Sequence, residues 1–171
     1  MVTSPSFYRL VVKRECVREN VPQYVGDTIR TPSVVAEIGQ RLLGDEDQEC
    51  FLAFFLNVKN RIVAYSEIGR GSIEQCPIYA RDVFRAALLT AGCVAIIVMH
   101  NHPSGDPAPS TDDMRLTRHL ADIGKVLGLS ILDHVIVTDS SSYSFAQAGL
   151  LGSLSERRER STGGRAPALE P

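Results

Sequence analysis

The chain has 171 residues, 44% of them hydrophobic and 22% charged, and a formal net charge of -2. That length and composition suit one globular domain with a sizeable core. The small negative charge excludes a protein whose whole surface is basic and binds DNA by charge alone. No apolar run is long enough to cross a membrane, and residues 1–15 contain no apolar signal-peptide segment. We therefore expect a cytoplasmic protein with no membrane partner.

The cysteines do not form a recognisable ligand or redox pattern. They lie far apart, at Cys16, Cys50, Cys76 and Cys93, and no Cys-x-x-Cys pair is present. Cys93 lies inside an apolar run and Cys50 beside one, which is typical of buried free thiols. We therefore expect neither a cysteine zinc site nor a redox motif.

Helix and strand signals alternate along the first half of the chain. Thr31 before Pro32 is typical of a helix start, and Gly44 of a helix end. The nearly continuous apolar run that begins at Cys50 predicts a strand buried on both faces. The predicted elements are a strand at 7–14, a helix at 32–43, a strand at 50–57 and a returning strand at 61–68 that ends at the break 69–71.

The second half of the chain continues this alternation. Each of its helices has one apolar face, made by Val83, Ala87 and Leu88 in the first and by Met114, Thr117, Leu120, Ile123 and Leu127 in the second. The predicted elements are a helix at 78–92, a strand at 93–99, a helix at 111–127 that ends before Gly128, strands at 129–138 and 143–145, and a last helical turn at 147–151.

These elements predict an α/β fold. Because helices and strands alternate without strict βαβ repetition, we expect a three-layer sandwich in which helices flank a mixed β-sheet. Residues 1–30 form a strand and loop extension, residues 31–151 the main domain, and residues 152–171 a tail whose composition predicts disorder. The edge strand at 7–14 would suit pairing with a second copy, so a homodimer is one expectation.

A histidine pair marks the end of the most hydrophobic strand. His100 and His102, two residues apart in extended chain, point to the same side. Asp113 follows in the first turn of the next helix, where a strand–loop–helix return brings it back beside the strand end. Two imidazoles and one carboxylate leave a fourth tetrahedral position open, which is typical of a catalytic zinc site. A water at that position has a pKa of roughly 7.

A structural alternative exists for the last part of this pattern. Ser110 and Asp113 fit Ser-x-x-Asp, a helix cap with its reciprocal acid, and on that interpretation they only start the helix. The preceding histidine pair favours the ligand interpretation. His119 and His134 have no such neighbours, so we expect one on a helix face and the other as a hydrogen-bonded residue at a strand start.

A metal-activated water also needs a base. Glu67 is the candidate, because it lies at the end of a predicted strand just before a glycine-rich break. Spacing alone does not distinguish it from Glu49 or Glu74. Nor does spacing decide whether Ser104 or Asp106 reaches the metal.

The region 100–113 resembles the JAMM (MPN+) metalloprotease signature. That signature is His-x-His, seven residues, Ser, two residues, Asp, and His100, His102, Ser110 and Asp113 fill it. The amino-acid sequence of this region is similar to that of the RadC-type branch of JAB/MPN domains. So are the sequences of the segments 67–72, 77–81 and 132–137. The similarity covers roughly residues 30–151.

The resemblance implies a fold, a site and a reaction. The fold is the JAB/MPN sandwich, similar to cytidine deaminases. The site is zinc held by His100, His102 and Asp113, with Glu67 as general acid/base and Ser110 as a donor to the oxyanion. The reaction is hydrolysis of an amide or isopeptide bond. RadC-type proteins usually carry a DNA-binding helix-hairpin-helix, and residues 1–45 contain none, so DNA association rests on the family name alone.

Two other functions stay open at this point. A metal-dependent nuclease would use the same water against a phosphodiester, with Asp106, Asp112, Arg70 and Arg81 as further carboxylates and phosphate clamps. A non-catalytic scaffold is the other alternative, although all the ligands of the signature are present. The natural substrate, peptide-like or nucleic acid, is not indicated.

Overall fold

The computed structural model describes residues 28–71 and 78–151. The predicted strand at 7–14, the predicted disorder of 152–171 and Glu74 lie outside the described residues. The helices are α1 (Pro32–Leu43), α2 (Ala80–Leu89) and α3 (Thr111–Leu127); the strands are β1 (Cys50–Leu56), β2 (Ile62–Arg70), β3 (Ala95–Asn101), β4 (Ser130–Val137) and β5 (Ser142–Ser144). None of these helices has the length and apolar character that a bilayer crossing requires.

The strands form one mixed sheet with helices on both sides. Its order is β2-β1-β3-β4-β5; β3 and β4 run parallel, and the other neighbours are antiparallel. Helix α1 packs against β3 and β4 on one face, while α2 and α3 contact each other and the sheet on the other face. The predicted three-layer α/β sandwich is therefore confirmed.

The central strands β1 and β3 contribute to the core on both faces of the sheet. All seven residues of each strand are buried, because helices cover both faces of the sheet at these positions. Successive side chains alternate between two clusters. Leu52 and Met99 pack with the residues under α1, whereas Phe51 and Val98 pack with those under α2 and α3. Burying each large side chain contributes roughly 1.5–3 kcal/mol, which explains why these strands are apolar without alternation.

The observed bounds of helices α1 and α2 can be compared with the predicted ones. Helix α1 and its end at Gly44 are confirmed. Helix α2 is shorter than the predicted 78–92, and its buried stripe is Ala80, Val83, Phe84 and Ala87. Leu88, predicted to face the core, is 63% exposed, since it lies about 100° around the helix from Ala87. That prediction was wrong.

Helix α3 has the predicted bounds. Ser110 is its N-cap, and Gly128 ends it in the left-handed conformation at φ 68°. Thr117 and Leu120 are buried as predicted, but Met114 and Leu127 are 41% and 42% exposed, so the predicted face was wrong at its two ends. The predicted last helical turn at 147–151 is a hydrogen-bonded turn that begins at Phe145.

The two described cysteines are free. Cys50 is fully buried as predicted, and burial raises the pKa of its thiol to about 11. Cys93 is half-buried. Cys16 and Cys76 lie outside the described residues.

Gly124 allows helix α3 to approach the start of β4. A Cβ atom there would lie 2.3 Å from the backbone oxygen of Leu129, closer than any van der Waals contact. Gly124→Ala is therefore expected to lower the free energy of unfolding by about 1–3 kcal/mol, although alanine gains about 1 kcal/mol in an exposed helix. Urea denaturation measures the change. Lys125→Ala, on the exposed face, is the control, and a Gly124→Ala protein at least as stable as wild type would contradict the close contact.

Candidate metal centre

Strand β3 positions the histidines by continuing further than predicted. It extends to Asn101, so His100 lies within the strand and stacks on Phe51 of β1, with ring centroids 5.8 Å apart. The Asn101 side chain accepts a hydrogen bond from the Cys50 backbone and donates two to the chain before β1. His102 follows directly, held by its backbone bond to Val137. The alternation of a strand therefore puts His100 and His102 on one side.

Asp113 reaches the histidines from the first turn of α3. The Ser110 backbone and hydroxyl both donate to Asp113 Oδ2, at 2.8 and 2.6 Å, and the Asp113 backbone donates to Ser110 Oγ at 3.1 Å. The predicted capping box is therefore present. It uses only one carboxylate oxygen, so the capping and ligand interpretations are compatible.

The second carboxylate oxygen of Asp113, Oδ1, faces His100, while the capping oxygen Oδ2 lies 3.6 Å from His102 Nε2. The Nε2 atoms of His100 and His102 are 2.9 Å apart, and Asp113 Oδ1 lies 3.2 Å from His100 Nε2. Oδ1 is buried, and within the described residues no donor reaches it with hydrogen-bond geometry. A buried acceptor without a donor is costly, and two imidazoles with one carboxylate are a donor set that catalytic zinc sites use. One ligand atom from each residue lies within 4.8 Å of the others, so the residues fit a zinc ion.

The charge of Asp113 also suits a cation. Burial alone would raise the pKa of Asp113, but the contacts with His100 and His102 outweigh it and hold the pKa far below its usual range. The contact with Asp113, whose Oδ2 lies 3.6 Å from His102 Nε2, raises the pKa of His102 against the effect of its burial. Asp113 is therefore ionised at neutral pH, the state that a metal ligand requires.

A cavity of about 280 Å³ opens beside these residues. His100 and Asp113 lie in its wall together with Glu49, Phe51 and Arg70, among others. Its size and its mixed polar and apolar lining suit a bound side chain or a small part of a chain substrate.

The family to which this chain belongs can now be stated. A profile of the RadC-like JAB domain matches residues 29–150. The chain belongs to the RadC-like JAB domain family. It is similar to a UPF0758 protein of Trichlorobacter lovleyi, with 40% identity over 71% of this chain and 52% of the relative. It is also similar to a UPF0758 protein of Thiobacillus denitrificans, with 39% identity over 74% of this chain and 56% of the relative.

The match covers only part of those relatives. The chain spans about half the length of the curated relatives it matches, and their names state no activity. Family membership therefore supports the fold of this RadC-like JAB domain and its relation to the JAMM signature. The reaction rests on the geometry of the site.

The structure does not bring Glu67 to the metal residues. Glu67 lies inside β2, not at its end, and its carboxylate accepts two hydrogen bonds from Arg70, at 3.1 and 3.0 Å. Those bonds lower its pKa. An irregularity of pairing sets Glu67 opposite Leu52, whose side chain lies in the cluster under α1. Since directly opposed residues share a face, Glu67 is on the side of the sheet away from His100.

Glu49 lies in the cavity that contains two of the candidate ligands. It precedes β1, lies in the cavity wall with His100 and Asp113, and is half-buried. Its negative charge is one of the influences that raise the pKa of His102. Glu49 was one of the two alternatives to Glu67 that spacing left open, and among the described glutamates it alone lines this cavity.

None of the other described candidate residues belongs to the group of ligand atoms. Ser104 is exposed in the loop. Asp106 contributes its backbone oxygen, which accepts a hydrogen bond from His102 Nδ1 at 2.8 Å, while its side chain caps Ala108. Asp112 lines the cavity and pairs with an arginine. Arg81 lies over the ring of Tyr79.

His134 is the residue that the sequence did not assign to the site. It lies in the middle of β4, is fully buried, and its Nε2 is 2.9 Å from His100 Nδ1. It was predicted only as a hydrogen-bonded residue at a strand start. The available signal was a histidine within an apolar strand, because a buried polar group needs a partner. His119 is exposed on helix α3, as expected.

Proposed function

We propose that this RadC-like JAB domain is a zinc-dependent hydrolase of amide or isopeptide bonds. The observation that carries the proposal is Asp113 Oδ1, a buried anionic oxygen that no donor among the described residues reaches, 3.2 Å from His100 Nε2, which itself lies 2.9 Å from His102 Nε2. The JAMM signature supports the same ligand set. When bound, zinc supplies Lewis-acid polarisation and a water of lowered pKa.

The residues in and beside the cavity have different proposed roles. His100, His102 and Asp113 would hold the ion, and the cavity that has His100 and Asp113 in its wall leaves one side open to substrate. Glu49 is the proposed general acid/base, since it lines that cavity; it would take a proton from water and return it to the leaving amine. Glu67, implied by the resemblance, is the competing assignment, and its carboxylate is engaged by Arg70.

Ser110 has a structural role and a proposed catalytic one. Its hydroxyl donates to Asp113 Oδ2, so it must turn toward the substrate to stabilise an oxyanion. Ser110→Ala is expected to cost about 1 kcal/mol of stability through the lost cap and to lower kcat about 10²–10³-fold through the lost donor. Ser110→Thr keeps the hydroxyl and is the control. Unchanged kcat in Ser110→Ala, with only the stability loss, would limit Ser110 to capping.

The nuclease alternative has one supporting observation. Arg70 and Asp112 line the same cavity, so a cation and a further carboxylate lie beside the metal residues. The charge of Arg70 is opposed by Glu46 and Glu67, which weakens it as a phosphate clamp. We therefore favour the amide reaction over the phosphodiester reaction.

A direct comparison of substrates tests the proposal. Zinc-loaded protein is incubated with peptides, isopeptide-linked peptides and single- and double-stranded oligonucleotides, with and without a chelator. We expect chelator-sensitive release of a new amine from a peptide-like substrate and intact oligonucleotides. Chelator-sensitive cleavage of oligonucleotides alone would replace the proposal with a nuclease. Metal binding without either activity would favour a scaffold.

A further inference from the structure

A chain of three buried hydrogen bonds runs behind His100, on the side away from the other ligands. His100 Nδ1 lies 2.9 Å from His134 Nε2, and His134 Nδ1 lies 2.6 Å from Thr117 Oγ1. The Thr117 hydroxyl lies 2.6 Å from the backbone oxygen of Asp113 and donates to it. The chain therefore starts at one candidate metal ligand and returns to another.

The hydroxyl of Thr117 determines where the hydrogens lie. Its single hydrogen goes to the Asp113 carbonyl, which can only accept. Thr117 Oγ1 must then accept from His134, so His134 carries its hydrogen on Nδ1. One hydrogen for each of the three bonds completes the chain when His134 Nε2 carries none. That atom accepts from His100, whose hydrogen is therefore on Nδ1.

This order of hydrogens leaves no hydrogen on His100 Nε2, the ring nitrogen that faces Asp113 Oδ1 and His102. The opposite ordering would put the hydrogen on His100 Nε2, where it blocks a metal. We propose that His134 and Thr117 are positioning residues, an inference that rests on the metal site of the proposed function. They fix the tautomer of His100 so that its Nε2 lone pair is free for zinc before the ion arrives.

The packing around His134 fixes its orientation as well. Its ring stacks on Phe145 at 4.9 Å and contacts the edge of Phe51 at 5.6 Å. Phe51 also stacks on His100, so one aromatic side chain holds both imidazoles. His102 has a partner at Nδ1 as well, because that atom lies 2.8 Å from the backbone oxygen of Asp106 and can donate to it. Both histidines thus have a partner at Nδ1, which is the usual support of a metal-binding imidazole.

The first test uses the metal-free protein. Long-range proton–nitrogen correlation spectra of ¹⁵N-histidine-labelled protein report which ring nitrogen carries hydrogen. We expect His100 and His134 to be protonated at Nδ1 and bare at Nε2. A His100 protonated at Nε2 in the wild-type protein would overturn the proposal without any reference to metal.

The second test uses a matched pair at Thr117. Thr117→Val has nearly the same shape without the hydroxyl, whereas Thr117→Ser keeps the hydroxyl. We expect Thr117→Val to lose the fixed His100 tautomer and to bind zinc about 10–100-fold more weakly, measured by competition with a coloured chelator. Thr117→Ser and His134→Gln, whose amide can accept and donate in the same order, should restore most of the affinity and the His100 signature.

The outcomes separate this proposal from the function on which it rests. If Thr117→Val is folded and binds zinc as tightly as Thr117→Ser, the positioning role is wrong although the metal site stands. If wild type shows the expected tautomers but binds no zinc, the proposed function fails and the hydrogen-bond order is supported. Should Thr117→Val not fold, the wild-type spectra and His134→Gln still decide.

Discussion

Replacing Glu49 by glutamine is expected to lower kcat of the zinc-loaded protein about 10²–10⁴-fold, the usual contribution of a general acid/base. Glutamine has the shape of glutamate but cannot act as a general acid or base at neutral pH. Glu49 lies in the wall of the cavity that also contains His100 and Asp113. Because Glu49 contributes none of the three ligand atoms, zinc content should stay unchanged. Steady-state kinetics on the substrate found in the comparison above, with elemental analysis, measure both quantities.

Glu67→Gln is the matched control for that experiment. It removes the same charge from a glutamate whose carboxylate is bound by Arg70 and lies opposite Leu52. We expect kcat close to wild type, with at most a small loss of stability, because exposed ion pairs contribute little. The reverse result, an inactive Glu67→Gln and an active Glu49→Gln, would return the role of base to Glu67.

Replacing Asp113 by alanine is expected to abolish stoichiometric zinc binding. The substitution removes the only carboxylate among the three grouped candidate ligands and with it one half of the capping box. Two separate losses of stability should follow. Loss of the cap costs about 1 kcal/mol, and the variant lacks the stabilisation that zinc confers on wild type, about 2.7 kcal/mol at a concentration 100 times Kd. Denaturation with and without zinc measures each loss.

Asp113→Asn separates the cap from the charge. Its amide oxygen can still accept from the backbone of Ser110, as Asp113 Oδ2 does, so helix α3 keeps much of its cap. Zinc binding should nevertheless fall, since the amide supplies no negative charge. If Asp113→Ala and Asp113→Asn bind zinc like wild type, the residue only caps the helix.

Much of the candidate centre was predictable because it is local in sequence. His100 and His102 share a side by strand alternation, and Ser110 and Asp113 are three residues apart at a helix start. These relations hold in any fold that places a strand before residue 102 and a helix after residue 110. The bounds of α3 followed from the same short-range signals.

The base and the supporting histidine depend on contacts between distant strands. Glu67 faces away from the site because of an irregularity in the pairing of β1 and β2. No local sequence pattern predicts that irregularity. His134 is brought to His100 by the parallel pairing of β3 and β4, with Val98 opposite His134. Since register between strands far apart in the chain is set by the packed sheet, neither result could be obtained from spacing alone.

The most direct test of the metal centre is anomalous diffraction at the zinc edge, from crystals grown with one equivalent of zinc. We predict one peak per chain bonded to His100 Nε2, His102 Nε2 and Asp113 Oδ1 at about 2.0–2.2 Å, and no peak there in Asp113→Ala. A wild-type map with these three atoms uncoordinated at saturating zinc, or with its zinc bound elsewhere, would contradict the account.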